Sequence, residues 1–256
     1  MNITILKYIF FELLRSRFVI SYALFLAVIS TGVAYFSNDE LKTSLTLLNV
    51  VLFIIPLVSL IFGSIHFYDS EEFIEFLLTQ PVSRNTVFRA EYLALSASLS
   101  IAAVAGILPA IIMNGISSTG MFLVFISVAL TFVFAGLAFL SACVNAEKVR
   151  GIGLSIIVWL MMSVLFDLIV VLLIVAFSHY PLERFIIIAT ALNPIDLGRI
   201  LLLLKTDASA MMGFTGASFK DFFGSTTGII ASAFSLVMWA LIPYLFAIRT
   251  FRRKNF

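Results

Sequence analysis

The sequence predicts an all-α polytopic membrane protein: six transmembrane helices, an N-terminal interfacial helix, a cytoplasmic helix between the second and third spans, and short outer-loop helices. Of its 256 residues, 62% are hydrophobic and 12% charged, and the mean hydropathy is +1.14. Soluble domains carry about 45–50% apolar and about 25% charged residues. Six apolar windows, at about 18–36, 45–67, 93–113, 121–144, 152–177 and 227–248, contain 19 to 26 residues each. At about 1.5 Å per residue, a helix of that length crosses the roughly 30 Å hydrocarbon core. None of the windows shows the alternation over about ten residues that marks a membrane-barrel strand. Residues 1–256 read as one transmembrane domain, without internal repeat or low-complexity segment.

The elements follow in order. Ile3 to Phe18 interleaves Ile5, Leu6, Ile9, Phe10, Leu13 and Leu14 with Lys7, Glu12, Arg15 and Arg17, the pattern of a helix lying in the membrane interface. The first window is followed by no small-residue cleavage pattern and reads as a retained span. With six spans both termini share a side. Eleven of the sixteen Lys and Arg residues then fall on the terminal side and five opposite, four of those within one long loop, 178–226. The positive-inside rule places both termini in the cytoplasm. The net charge of +2 is too small to argue for nucleic acid, and a single cysteine, Cys143, excludes an intrachain disulfide.

The most charged stretch lies between spans two and three, on the terminal side. In Asp69-Ser-Glu-Glu-Phe-Ile-Glu-Phe-Leu-Leu-Thr-Gln-Pro81, Asp69 or Ser70 can cap a helix, Glu71 and Glu72 suit its positive end, and Pro81 stops it. Phe73, Phe76, Leu77 and Gln80 then share one face, with Glu72 and Glu75 elsewhere. Val82-Ser83-Arg84 reads as a turn, with Ser83 capping the next helix. One reading lays this amphipathic helix on lipid headgroups. Three carboxylates in its first five residues argue against that, because an anionic leaflet repels them, and favour a protein partner.

The run Glu71-Glu72-Phe73-Ile74-Glu75-Phe76-Leu77-Leu78-Thr79-Gln80-Pro81-Val82-Ser83-Arg84 resembles the cytoplasmic coupling segment of ABC type-2 permeases, with Phe73 where many members carry Gly. Trp159 with Val164-Leu165-Phe166-Asp167-Leu168, Leu192-Asn193-Pro194-Ile195-Asp196-Leu197-Gly198-Arg199 and Phe251-Arg252-Arg253 narrow the resemblance to the permeases of nitrous-oxide-reductase maturation systems. The resemblance follows most of the chain in order and is weakest from Thr206 to Ser225. It implies two copies of this permease in the bacterial inner membrane, paired with a cytoplasmic ABC ATPase dimer that holds ATP and Mg. It also implies a periplasmic accessory protein outside, and a role in supplying copper or sulfur to the reductase's copper centres. Glu71, Glu72, Phe73, Glu75, Phe76, Leu77, Leu78, Pro81 and Arg84 are the residues it implies for ATPase coupling.

This chain carries no Gly-x-x-x-x-Gly-Lys-Ser/Thr cradle, so nucleotide hydrolysis by the P-loop mechanism belongs to another chain, and no cofactor is expected here. His66 and His179 lie near opposite faces and read as interfacial histidines. Met161-Met162 and Met211-Met212 are tempting as copper ligands, but neighbours on a helix point about 100° apart and suit packing instead. Gly224 and Gly228 fit a close helix contact, and Gly213 and Gly216 a turn.

Asp167 is the one acidic residue well inside a window. An Asp at the bilayer centre costs about 2.5–3.5 kcal/mol, so it is expected to face the bundle, a cavity or a dimer seam. It can bind a cation, sense the conformational state, or make a structural hydrogen bond, for instance to Ser163. In the outer loop, Leu182 to Leu192 is too short to span and suits a re-entrant or interfacial helix. Pro194 turns the chain at Asn193, and Asp196 is expected to cap a second short helix with Arg199 one turn on. Asp196 and Arg199 either pair internally and brace the loop or contact a partner directly, and the whole is expected to form a platform at the outer face. Two other readings remain: an ABC exporter of another substrate, and a secondary transporter in which Pro56 and Pro109 break spans two and three.

Overall fold

The computed structural model describes residues 3–37, 39–177, 188–205 and 226–254. An interfacial helix α1 (Ile3–Arg15) is separated by Ser16 alone from α2 (Arg17–Ser37). There follow α3 (Glu40–Asp69), the short α4 (Glu71–Leu78), α5 (Arg84–Met113) and α6 (Ser118–Val144). The fifth span is α7 (Lys148–Leu160), a π-helical turn (Met161–Leu165) and α8 (Phe166–Ala176). Helix α9 (Pro194–Lys205) and the last span α10 (Thr226–Arg253) complete the described chain. Six helical stretches, α2, α3, α5, α6, α10 and the composite of α7, the π-turn and α8, are long and apolar enough to cross a membrane. The chain is an all-α polytopic membrane protein.

The core is built around α5 and α6, the most buried spans. Small residues let their neighbours approach. A Cβ on Gly106 of α5 would collide with the Cβ of Leu26 in α2, and the Gly106 carbonyl accepts a hydrogen bond from Ser30 Oγ at 2.6 Å. Gly63 of α3 sits in the same way against Ala138 of α6, where an added Cβ would lie 2.8 Å away. On the side of the termini, an aromatic layer joins α3, α5, α6 and α10. Its ring pairs include Phe67–Phe139 at 5.3 Å, Phe88–Phe251 at 5.1 Å and Tyr92–Tyr244 at 4.9 Å. Interlocked rings of this kind resist rotation, so the ends of four spans form one stiff base.

The fifth span is the exception. Its first half is pinned to α3: Ser64 Oγ and Ser155 Oγ are 2.6 Å apart, Trp159 Nε1 donates to the Phe53 carbonyl at 3.3 Å, and Tyr68 fills the space a side chain at Gly151 would need. Its second half has no buried residue. The two part company at the π-turn. Pro56 and Pro109, expected in the alternative reading to break their spans, lie inside the unbroken helices α3 and α5. The only departure from α geometry within a span, among the described residues, is Met161–Leu165.

Candidate functional site: the helix between spans two and three and the polar cluster before the last span

The segment between spans two and three is a helix, but it presents a different face from the one the spacing suggested. Ile74 and Leu77 are the buried residues of α4, Phe73 is half-buried beside Tyr8 with ring centroids 6.1 Å apart, and Phe76 is 60% exposed. Leu77 therefore packs inward with Ile74, and it is Phe76 that stands out between exposed Glu72 and Glu75. Apolar residues occupy most of the helix circumference here, so periodicity alone could not say which side the bundle covers.

The entry to α4 is tight. Ser70 adopts helical angles (φ −86°, ψ 0°), donates its N–H to the His66 carbonyl at 2.9 Å and makes no side-chain cap. Its Oγ leans towards the His66 ring at 3.4 Å instead. Asp69, the other candidate cap, belongs to α3 and pairs with Lys148 across the turn to span five. At the exit, α4 ends at Leu78, the Val82 N–H reaches back to the Gln80 carbonyl at 2.6 Å around Pro81, and Ser83 Oγ caps α5 by accepting from the Thr86 N–H at 3.3 Å.

The end of the last span holds both ends of this segment. Lys254 Nζ lies 2.6 Å from Glu71 Oε1 and 5.1 Å from the centre of the Phe67 ring. Arg84 Nη1 donates to the Lys254 carbonyl at 2.7 Å and the Arg252 carbonyl at 3.2 Å, and Arg252 Nε donates to Asn85 Oδ1 at 2.6 Å. Glu71 and Arg84 thus tie the two ends of the segment to the end of α10, and within α4 Glu72, Glu75 and Phe76 are the exposed residues.

The second cluster centres on Arg199. Its Nη1 lies 2.9 Å from Asp167 Oδ2 and 3.1 Å from Asp196 Oδ1. Asp167 is therefore paired across 32 residues of sequence, and Ser163, the expected partner, donates to its own helix at the Trp159 carbonyl, 2.6 Å away. The Asp196–Arg199 pair forms as the spacing suggested, but Asp196 is not the cap. Asn193, 1% exposed, takes that position: its Oδ1 accepts from the Ile195 N–H at 3.0 Å, and Pro194 begins the helix. Asn193 Nδ2 also donates to the Met162 carbonyl at 2.8 Å and to Asp196 Oδ2 at 3.3 Å. The first of these bonds satisfies a carbonyl in the π-turn, where the regular ladder is interrupted.

Helix α9 is seated among the spans instead of lying on them as a platform. Ile195, Leu197 and Leu202 are buried, and a Cβ on Gly198 would come within 3.1 Å of Ile126 in α6 and 3.4 Å of Leu52 in α3. Trp239 Nε1 and Ser235 Oγ of α10 both donate to the Ala191 carbonyl at 3.2 Å. Residues 188–191 are helical and Leu192 is an exposed turn residue after them; 182–187 of the expected segment Leu182–Leu192 lie outside the described residues, as do His179, Met211, Met212, Gly213, Gly216 and Gly224. Burial and the nearby Asp167 charge, opposed by Arg199, push the Asp196 carboxyl up to about 7.

With both clusters placed, the comparison with known proteins is decisive. Residues 4–256 match the family model described as ABC-2 family transporter protein. The chain belongs to that family. It is 27% identical to a probable ABC transporter permease protein NosY of Pseudomonas aeruginosa over an alignment of 267 positions, and 25% identical to another of Stutzerimonas stutzeri over 274. In both cases 94% of each chain is covered. As an ABC-2 permease, the chain is the membrane component of an ABC transporter.

One buried pair in this permease escaped the sequence reading, which singled out Asp167 as the one acidic residue well inside a window. Glu91 of α5 is 2% exposed, and its Oε2 lies 2.9 Å from His66 Nε2 while, among the described residues, Oε1 has no hydrogen-bond partner. Glu91 sits just before the apolar window and His66 at the end of another, so each looked like a boundary residue. Because Ser70 contacts the same ring, the pair links α5 to the first turn of α4.

Proposed function

We propose that this permease acts as half of a homodimeric ABC transporter in the bacterial inner membrane, with both termini cytoplasmic. A separate ABC ATPase dimer carrying ATP and Mg drives it through α4. The observation that carries the reading is the outward face of α4: an apolar ring, Phe76, 60% exposed and flanked by Glu72 and Glu75. A ring inserted into a partner's groove supplies affinity, while flanking charges set orientation and exclude lipid. Glu71 and Arg84, bound to the end of α10, keep the helix from swinging free, so a push on Phe76 moves the stiff aromatic base beneath it.

The outer event is read from the relatives. Two proteins named as probable NosY permeases align over nearly the whole chain, which supports a role in the copper-site maturation of nitrous oxide reductase through supply of copper or sulfur. A periplasmic accessory protein would then receive the movement. Export of another substrate is the competing outcome within the same family. The partial exposure of Asp167 and Arg199, about a third each, supports a dimer in which the second half of span five meets a second copy. A charged pair left open to lipid there would be costly.

Phe76→Asp tests the coupling role: co-purification of the ATPase is lost while the permease still inserts in the membrane. Nitrous-oxide-reductase maturation in cells carrying only this permease tests the outer event. Loss of the copper centre on deletion supports the maturation role, and a fully loaded reductase favours export of another substrate.

A further inference from the structure

Two cavities meet on the lipid-facing side of α10. One, of about 340 Å³, is a groove between α6, α7 and α10 lined by Leu137, Leu140, Val144, Leu154, Val158 and Phe246. The hydroxyls of Ser141 and Thr250, which also line it, are bonded within their own helices: Ser141 Oγ donates to the Leu137 carbonyl at 2.8 Å and Thr250 Oγ1 to the Phe246 carbonyl at 3.0 Å. The groove therefore offers carbon to whatever fills it. The other cavity, of about 600 Å³, shares Phe246 and Thr250 with the first and is otherwise lined by Arg249, Arg252 and Arg253. Among the described residues no carboxylate lines it, and Arg249 and Arg253 make no ion pair.

The helix places these features in order. Ile242, Leu245 and Phe246 are exposed and apolar; Arg249 follows Phe246 by three residues and Arg253 by seven, on the same face. Within one turn the surface changes from hydrocarbon-compatible to cationic, as at a bilayer boundary. We propose that the paired cavities form a binding site for an anionic phospholipid, with its phosphate between Arg249 and Arg253 and an acyl chain in the groove. The continuity of the dry groove with the basic pocket favours a lipid over an acidic protein surface, which would use the charges and leave the groove empty. Bound there, the chain would fill the gap between α6, α7 and α10 and support the otherwise thinly packed fifth span.

The test is native mass spectrometry of the full-length permease, delipidated in detergent and then offered dioleoyl-phosphatidylglycerol or dioleoyl-phosphatidylcholine. The wild type is expected to retain the glycerol lipid preferentially. Arg249→Gln with Arg253→Gln should lower its retention about tenfold or more, since each basic residue near an anionic headgroup contributes roughly a factor of five, and Arg249→Lys with Arg253→Lys should preserve it. Val144→Trp, at a position 61% exposed, should block the groove and release the lipid with all three arginines in place. Equal retention of the two lipids, or unchanged retention in the glutamine variant, overturns the proposal. So does competition by inorganic phosphate with Val144→Trp silent, which would mark a free-anion site. Loss of the ATPase subunit from the glutamine variant with lipid retention intact would mark a protein-docking surface and overturn it as well.

Discussion

Lys254 and Glu71, 183 residues apart, are joined by a 2.6 Å contact between Nζ and Oε1. Their side chains are 13% and 31% exposed, so the pair is shielded from water on the permease side. It binds the end of the last span to the first residue of α4. A movement imposed on α4 is therefore felt by α10 without passing through the lipid-facing surface.

Lys254→Ala should loosen α4 and destabilise the permease by about 1–2 kcal/mol, the range for a charge-assisted hydrogen bond that is partly buried. The larger effect is expected on ATPase stimulation, because the coupling helix loses a strut. The exchanged pair, Glu71→Lys with Lys254→Glu, should restore part of both. Thermal unfolding in detergent and ATP turnover of the assembled complex measure them; a double variant no better than the two single ones would show that the contact carries no coupling.

Gly106→Ala should destabilise the α2–α5 contact by about 1–3 kcal/mol, since the new methyl meets the Cβ of Leu26, close to the backbone and unable to swing aside. Gly32→Ala in α2 meets nothing within 4 Å and should be neutral or slightly stabilising. Comparing the two melting temperatures separates packing from helix propensity. Equal shifts would mean that α2 and α5 do not approach as described.

Asn193→Ala should disorder the junction of span five and α9 more than Asp167→Asn does, because Asn193 both caps α9 and satisfies the Met162 carbonyl. Hydrogen exchange across 158–169 and 190–200 reads this directly. Faster exchange after Asp167→Asn than after Asn193→Ala would assign the brace to the Asp167–Arg199 pair instead. If Asp167→Asn leaves both maturation and ATPase stimulation unchanged, its charge has only a structural role.

The raised Asp196 carboxyl makes the same junction sensitive to pH. A folded-state value near 7 against an ordinary 3.8 means the folded form holds more protons between those limits, so this group's contribution to stability is greatest below about pH 4 and declines as pH rises through 7. Protection of α9 should accordingly weaken from pH 5 to pH 8, and Asp196→Asn should flatten that slope. A slope of the opposite sign would place the proton on another group.

Much of this architecture was legible in the chain because hydropathy reports burial in lipid directly: five of the six windows lie within one long helix each, and the fifth runs over α7, the π-turn and α8. The capping serine at 83 and the Asp196–Arg199 pair were also local, within three residues, and were read correctly. What depended on contacts distant in sequence was not legible. Arg199 lies 32 residues from Asp167 and Glu91 lies 25 from His66, and no periodicity links them. Helix α9 looked like a surface platform because its polar residues lead it; only the fit of Gly198 against Leu52 and Ile126, and the bonds from α10 to the Ala191 carbonyl just before it, show that it is inserted. For α4 the helix was legible and its exposed face was not, because Phe73, Ile74, Phe76 and Leu77 surround most of the axis.

The central claim is that Phe76, and not Leu77, is the contact through which an ATPase drives this permease. It is tested most directly by an ATPase pull-down with Phe76→Asp, in which the partner should be lost while the permease elutes as a folded species. Leu77→Ala serves as the control that weakens packing and leaves the exposed face intact. Retention of the ATPase at wild-type stoichiometry with Phe76→Asp, or its loss only with Leu77→Ala, would contradict the account.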